Sequence, residues 1–531
     1  MSRLDRSELD NPSLGNMAEE KARRAGDEIL FLFEEQRITN AEFNEAANRA
    51  ANGLSGLGIK KGDKVCLCLP NCPEWLYLWF GMAKIGAVLV PLMPGLPGPY
   101  LAHMVNDSDA ETVITHLSLV DAFGSREGVL DNVTNFIVDG HGSHDGAARL
   151  PAGAIPLEQV FESPTDPPQV EVGHPDVSHM VYTSGTTGFP KAVVKRHMAP
   201  RREPEPFPNR PTDLKPGEAM YTCYAMHTWF EGILGCFISG IVGAFSREPR
   251  IETFWEAVRK YDAAGFMYWA GLIPDLLNLP ENPDDADNPA RMCSGIMAPR
   301  DPEVIAAFEK RFGVTVIESY GSSEGGGVTG NHTGKPGSVG KPIEGVEVKI
   351  IDDEGNELEP HEVGEIVHRR LVGEPITVEY YKRPEESAAK VRDGWYHSDD
   401  LGYLDEDGYL YFADRKLDVV KKGDREIFVS EIEKAASKHP RVFECAAVGV
   451  LCGADGDDIK LSVICKEGTV ITPEEMLAFC RERLEDHMVP RYIEFRDTFP
   501  RSSRGKVQKC RLQGEGVTAG IWDREKAALK G

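Results

Sequence analysis

The sequence predicts an α/β protein: a large N-terminal part of sheets and packed helices ending in a β-meander, then a small α+β C-terminal part. Helical patterns alternate with short apolar runs over 41–115, the rhythm of a parallel sheet with helices on its faces. After Gly340 the period changes to alternating strands joined by turns, and beyond Leu417 helices and strands resume on a smaller scale.

In the first region, 41–57 reads as an amphipathic helix, 64–69 as a strand, 74–85 as a helix and 87–92 as a strand. Further on, Val304, Ile305, Phe308 and Phe312 share one face of a helix over 302–313, followed by a strand at 314–318. The meander has strands at 346–351 and 364–369, with turns at 353–356 and 405–408, where Asp405 and Asp407 need no role beyond the turn. The last unit opens with a helix from Ser430, then strands at 446–451 and 459–465. A capping box, Thr472 with Glu475, starts its second helix, and a strand follows at 492–496. Residues 200–217, rich in Pro and Arg, read as a surface loop.

With 59 basic and 85 acidic residues the 531-residue chain carries a formal charge of −26. A broad nucleic-acid face or an anionic membrane partner is therefore not expected, since both need positive surface. Any anionic ligand has to be drawn into a local pocket of Gly, Lys and Arg. The N-terminus has no apolar segment behind a basic start, and the apolar stretches at 76–94 (broken by Lys84) and 233–245 read as buried elements rather than membrane spans. Cys66, Cys68 and Cys72 cluster without His or acidic residues at metal-ligand spacing, so core thiols are expected there and not a zinc site. A reducing, cytoplasmic location fits this cysteine usage.

YTSGTTGFPKA (182–192) follows an apolar run and concentrates Gly and small hydroxylated residues before a lysine. Backbone N–H groups and hydroxyls in such a loop can approach a polyphosphate closely, although the spacing is not that of a Walker A loop and a plain surface turn has the same composition. Three further strings stand out: ESYGSSEGGG (318–327), GWYHSDDLGYLDEDGYLYFADRKLD (394–418) and RSSRGKVQK (501–509).

In this order the four strings resemble the acyl-adenylate-forming superfamily of acyl-CoA synthetases, adenylation domains and beetle luciferase, and the resemblance runs from about Glu28 to Lys509. The resemblance is nearest to acyl-CoA ligases of the crotonobetaine/carnitine type. It implies an N-terminal adenylate-forming domain over 1–416, a mobile C-terminal domain over 417–531, and a hinge about 416–418 at Leu417. It assigns the nucleotide to Thr183, Ser184, Gly185, Thr186, Thr187, Gly188, Lys191, Tyr320 beneath adenine, Gly321, Asp400 on the ribose diol, and Arg415. Ser323 would hold an α-phosphate oxygen, Glu324 would help hold Mg2+, and Lys506 would be the catalytic lysine. A hard cation suits carboxylate and phosphate oxygens. An ammonium between an attacking carboxylate and an α-phosphate offsets a like-charge repulsion of ~1 to ~4 kcal/mol at ~4 Å.

HTWFEG (227–232) falls where such enzymes gate the acyl pocket, so His227 and Trp229 are candidates there, with a core histidine as the alternative. Trp269, Met297, Ala298 and Gly325 complete the expected pocket. Phe266 to Trp269 would form an apolar wall and the glycines at 325–327 would leave space for a bulky or cyclic acid. Gly423 would lie near the CoA thiol path. Several departures from the family pattern stand out: Met297 and Ala192 replace usual glycines, Leu417 replaces a charged hinge residue, and Asp399 gives Ser-Asp-Asp for Thr-Gly-Asp.

The implied activity is ATP-dependent, AMP-forming ligation of a small-molecule carboxylic acid to coenzyme A through acyl-AMP, with ATP, Mg2+ and coenzyme A as cofactors. The alternatives are conversion of a preformed acyl-adenylate only, and loading of a carrier protein. A binding protein that keeps the fold without turnover is disfavoured by Lys506, Glu324 and Asp400. A homodimer is an open option.

Overall fold

The computed structural model describes residues 12–123, 132–140, 151–183, 190–197, 214–269, 271–296, 301–332, 334–422, 425–451, 457–501, 507–518 and 520–528, apart from the side chains of Trp229 and Glu231. Among the described residues, two large sheets form the N-terminal part.

The seven-stranded sheet is parallel through its centre, where Lys64–Cys68 lies between Val88–Pro91 and Thr112–His116. Its edge is an antiparallel pair, Val177–Thr183 with Lys191–Arg196. In the nine-stranded sheet Ala219–Thr222, Val242–Phe245, Ala263–Trp269, Met292–Ile296 and Thr315–Ser322 run parallel. The chain then turns back in Gly326–Gly330, antiparallel to Thr315–Ser322.

Helices fill the space between the sheets. Asn40–Gly56 starts at a full capping box between Thr39 and Glu42, which satisfies two orphan N–H groups at once. Pro73–Ile85 ends at Gly86 with φ 72°, the left-handed stop that glycine adopts without strain. Trp75, Trp79 and Phe80 on this helix share one buried cluster with Phe43, Phe230 and Phe237 and with Phe31 and Leu67 from the two sheets. The helix Met226–Ser239 packs in the same layer, which explains the apolar stretch around it. No helix of the described residues is long and apolar enough to cross a membrane.

The meander forms as the alternation predicts. Val346–Ile351 pairs with Gly364–Arg370, which pairs with Trp395–Leu404, which pairs in turn with Leu410–Arg415. A last sheet, Val442–Leu451, Asp457–Cys465, Tyr492–Phe495 and Trp522–Asp523, packs with the helices Val429–Ser437 and Pro473–Arg481 on their own core. This smaller unit touches the larger one through Lys438 and Asp301 at 2.8 Å and through the Arg511 guanidinium, 4.8 Å from the Tyr100 ring.

Two local expectations need correction. The strand expected from Ala446 begins at Val442, because Cys445 and its neighbours extend the pairing with Asp457–Cys465. The second capping box is one-sided: Thr472 accepts from the Glu475 N–H, but the Glu475 carboxylate is taken by Arg441. Cys66 and Cys68 pack in one core and Cys72 in another, and burial pushes the Cys66 and Cys68 thiols up to about 12, which disfavours the thiolates that a metal needs.

Candidate active site

Side chains at the carboxyl ends of parallel strands contact the meander and the segment before it, through Tyr320 with Asp400 and Glu324 with Tyr380, and strand carboxyl ends are the usual ligand position in open α/β sheets. Thr183 closes one strand, Lys191 opens the next, and the two are paired across the hairpin. Tyr182 anchors that hairpin, donating its hydroxyl to Asp107 Oδ2 at 2.9 Å and the Met104 carbonyl at 3.1 Å. The Ala192 side chain is buried in a core cluster with Tyr182 and Val194.

The Lys191 ammonium donates to Glu386 and lies 5.9 Å from the centre of the Tyr380 ring. On the other side the Tyr380 hydroxyl donates to Glu324 Oε1 at 3.3 Å. Burial, with Glu324 next, holds this phenol far above its ordinary titration range, so it stays a donor. One ring thus separates the phosphate-loop lysine from the acidic residue. Ser323 sits half-buried beside Glu324, and the Ser322 hydroxyl closes the turn by accepting from the Gly325 N–H at 2.9 Å. Glu324, with one carboxylate oxygen on a neutral phenol and no ion pair among the described residues, has the donor chemistry a magnesium ion takes. Such an ion would shield the phosphate charges, and Glu324 is the residue that would hold it.

A second group is built on Tyr320 and Asp400. The Tyr320 hydroxyl donates to Asp400 Oδ2 at 2.7 Å, and Arg415 Nε lies 3.8 Å from Asp400 Oδ1 on the paired strand. Burial and the Asp400 charge keep the Tyr320 phenol protonated. Gly321 is required by close approach, since a Cβ there would lie 2.5 Å from the Gly326 carbonyl.

Asp399 explains why glycine is usual at its position. Its φ is 59°, in the left-handed region that Asp tolerates better than most residues. The extra negative charge expected beside the nucleotide is paired with Lys390. Its carbonyl accepts from the Lys416 N–H at 2.9 Å, and Lys416 Nζ lies 2.7 Å from Asp353 and 3.7 Å from Glu365. Leu417, beside it, is 58% exposed.

The expected acyl wall is only half as expected. Along Ala263–Trp269, Phe266 and Tyr268 point into the core on one face, whereas Met267 and Trp269 face Cys236 of the helix Met226–Ser239. His227 is half-buried near the start of that helix, with Nε2 2.9 Å from the Thr228 hydroxyl. Tyr224 clamps the strand end: its oxygen accepts from the Trp269 N–H at 2.6 Å and donates to the Trp269 carbonyl at 3.0 Å. At Gly325 the Cβ direction is occupied by neighbours. A Cβ there would come within 2.8 Å of His368 Nε2 and the Tyr396 ring, so on that side the glycine serves close packing.

Residues 18–377 match the family model of the AMP-binding enzyme, and residues 431–506 match the AMP-binding enzyme C-terminal domain. This chain belongs to the AMP-binding enzyme family. Crotonobetaine/carnitine–CoA ligase of Salmonella typhi is 30% identical over 519 residues, spanning 94% of this chain and 99% of that protein. Among solved structures, the anthranilate CoA ligase AuaEII in complex with anthranoyl-AMP is similar, with a TM-score of 0.81 at 22% identity over 99% of this chain and 100% of that one. O-succinylbenzoate Coenzyme A Synthetase from Bacillus subtilis, in complex with ATP and magnesium ion, has a TM-score of 0.78 at 21% identity, covering 94% and 99% of the two chains.

In this AMP-binding enzyme the described structure joins Thr183 to Lys191 across their strand pair, Lys191 to Glu324 through Tyr380, and Tyr320 to Asp400 and Arg415, with Ser323 next to Glu324 in the chain. Ser184, Gly185, Thr186, Thr187, Gly188, Met297, Ala298, Gly423 and Lys506 lie outside the described residues, as does the Trp229 side chain and most of the Pro- and Arg-rich loop. Sequence reasoning missed Tyr224, Tyr380, Glu386 and Lys390. The last three lie in or near TVEYYKRPEES (377–387), a run dense in aromatic and charged residues with no helical or strand period.

Proposed function

We propose that this AMP-binding enzyme is an acyl-CoA ligase that joins a carboxylic acid to coenzyme A through acyl-AMP. It is an ATP-dependent, AMP-forming acid–thiol ligase, and the observation that carries this reading is the single aromatic ring of Tyr380 between Lys191 and Glu324. That arrangement gives a cation for the polyphosphate and a carboxylate for magnesium that both contact one rigid side chain. Tyr320, Asp400 and Arg415 form a neighbouring cradle suited to a nucleoside.

In the first step the acid's carboxylate attacks the α-phosphorus of ATP, the bond to the β-phosphate oxygen breaks, and pyrophosphate leaves with acyl-AMP formed. Lys191 draws charge away on the leaving side, Ser323 holds an α-phosphate oxygen, and Lys506 bridges carboxylate and phosphate. In the second step the coenzyme A thiol loses its proton and attacks the adenylate carbonyl, and AMP leaves as the thioester forms. The C-terminal unit beyond residues 416–418 turns between the steps, bringing Gly423 beside the thiol. The Lys416 contacts to Asp353 and Glu365, on the larger unit, support a pivot just after Arg415.

Half-buried Trp269, bonded to Tyr224 just before the helix that carries half-buried His227, supports an acid with an apolar acyl part. The reading that adenylation is lost draws no support from Ala192, whose methyl group is buried in the core. Incubation with ATP, magnesium, coenzyme A and a panel of aliphatic, aromatic and betaine acids tests the proposal. AMP and acyl-CoA appear in equal amounts with the cognate acid. AMP-free or ADP-linked thioester formation would contradict it.

A further inference from the structure

Lys191 has a partner of its own in Glu386, and neither residue stands on a casual surface contact. The segment carrying Glu386 is pinned to the strand that Lys191 opens: Tyr381 N–H donates to the Ala192 carbonyl at 2.9 Å, and Val194 N–H donates to the Glu379 carbonyl at 2.8 Å. Within that segment the Ser387 hydroxyl accepts from the Tyr380 N–H at 2.8 Å and donates to the Arg383 carbonyl at 2.6 Å. Lys191 is 22% exposed and Glu386 42% exposed, so the pair is within reach of solvent and of a ligand.

Glu386 also has a second cation: Arg383 Nε lies 3.8 Å from its Oε1. Arg383 in turn reaches Asp107 Oδ1 at 3.4 Å, away from the hairpin. A carboxylate held between two cations can release one and keep the other. The polyphosphate brings several negative charges to the ammonium that Glu386 already neutralises, and both anions cannot hold it at full strength.

We propose that Glu386 is a positioning residue that competes with the nucleotide's polyphosphate for Lys191. It keeps the ammonium beside the Tyr380 ring in the nucleotide-free enzyme, yields it to ATP while staying with Arg383, and reclaims it as pyrophosphate departs. This inference rests on the reading that Lys191 serves the phosphates. It goes further in assigning Glu386 an effect opposite to that of an ordinary binding residue: removing its charge tightens phosphate binding.

The test is titration calorimetry of the full chain with inorganic pyrophosphate and, separately, with magnesium ATP. Glu386→Gln is expected to bind pyrophosphate about three- to ten-fold more tightly than the unmodified enzyme, the range for a partly exposed ion pair plus relieved repulsion. Glu386→Asp, which keeps the charge, stays near the unmodified value. In a Lys191→Met background the Glu386→Gln effect disappears. A circular dichroism spectrum and melting transition matching the unmodified protein show that each variant is folded. Equal or weaker pyrophosphate binding by folded Glu386→Gln overturns the competition, even where ATP binding by the unmodified enzyme is normal. If the unmodified enzyme binds neither ATP nor pyrophosphate, the phosphate-site reading itself falls, and the competition falls with it.

Discussion

The hydroxyl of Tyr320 donates to Asp400 Oδ2 across 2.7 Å, so a side chain from the parallel sheet fixes a carboxylate on the meander. Burial keeps the phenol protonated, and the bond leaves Asp400 Oδ1 facing Arg415. Two acceptor oxygens held in this way suit a vicinal diol.

Asp400→Ala is therefore expected to weaken AMP binding by about ten-fold or more, the scale of a hydrogen bond to a charged group. Tyr320→Phe keeps the ring and loses only the orienting bond, so its cost is smaller, about three-fold. Calorimetric AMP titrations of both variants check this. Unchanged affinity in Asp400→Ala would remove the ribose assignment.

A stability prediction follows from Asp399. Its φ of 59° is unfavourable for a side chain that cannot form local polar contacts, while glycine meets no penalty there. Asp399→Val is expected to destabilise the protein by ~1 to ~3 kcal/mol, and Asp399→Gly to lie near the unmodified protein. Melting transitions recorded side by side decide it, and equal loss in both variants would point to the Lys390 ion pair instead of the backbone.

Two buried histidines set an acid limit. Burial lowers His197 and His368 to about 4 from an ordinary 6.5, and the His197 Nδ1 accepts from the Leu14 N–H at 3.3 Å, a bond that only the unprotonated nitrogen can make. The unfolded chain takes up protons at these sites from about pH 6.5 downward while the folded protein does not. The stability of keeping them neutral is thus complete above that pH and is lost as pH falls toward about 4. Each contributes a slope of up to ~1.4 kcal/mol per pH unit inside the window. His368→Gln is expected to flatten the fall in melting temperature between neutral and acidic buffer. An unchanged fall would mean that His368 protonates in the folded state.

Much of this architecture is legible in the sequence, because periodicity reports which face of an element is buried. The alternation over 346–351 and 364–369 becomes paired strands with nearly those limits. The helix–strand rhythm of the first region becomes the parallel sheet. What period cannot report is which side of a buried strand faces a ligand: Phe266 and Trp269 belong to one apolar run yet lie on opposite faces. Composition is ambiguous at Gly325 for a related reason. A glycine admits either empty space or a close neighbour, and here the neighbours are His368 and Tyr396. Tyr380 and Glu386 escaped notice because their partners Glu324 and Lys191 lie 56 and 195 residues away in the chain.

Lys506→Ala is expected to lower acyl-AMP formation by about 10²-fold or more while leaving thioester formation from supplied acyl-AMP much less affected. The lysine's charge matters only while carboxylate and phosphate are being joined. Separate single-turnover assays of the two steps check this, and equal losses in both would contradict the turning of the C-terminal unit between steps.

The central claim, that this chain activates its own acid as an adenylate, is tested most directly by exchange of labelled pyrophosphate into ATP without coenzyme A. The account predicts exchange that depends on magnesium and on the cognate acid, identified beforehand by thioester formation. No exchange with that acid, alongside rapid thioester formation from its synthetic adenylate, would contradict it.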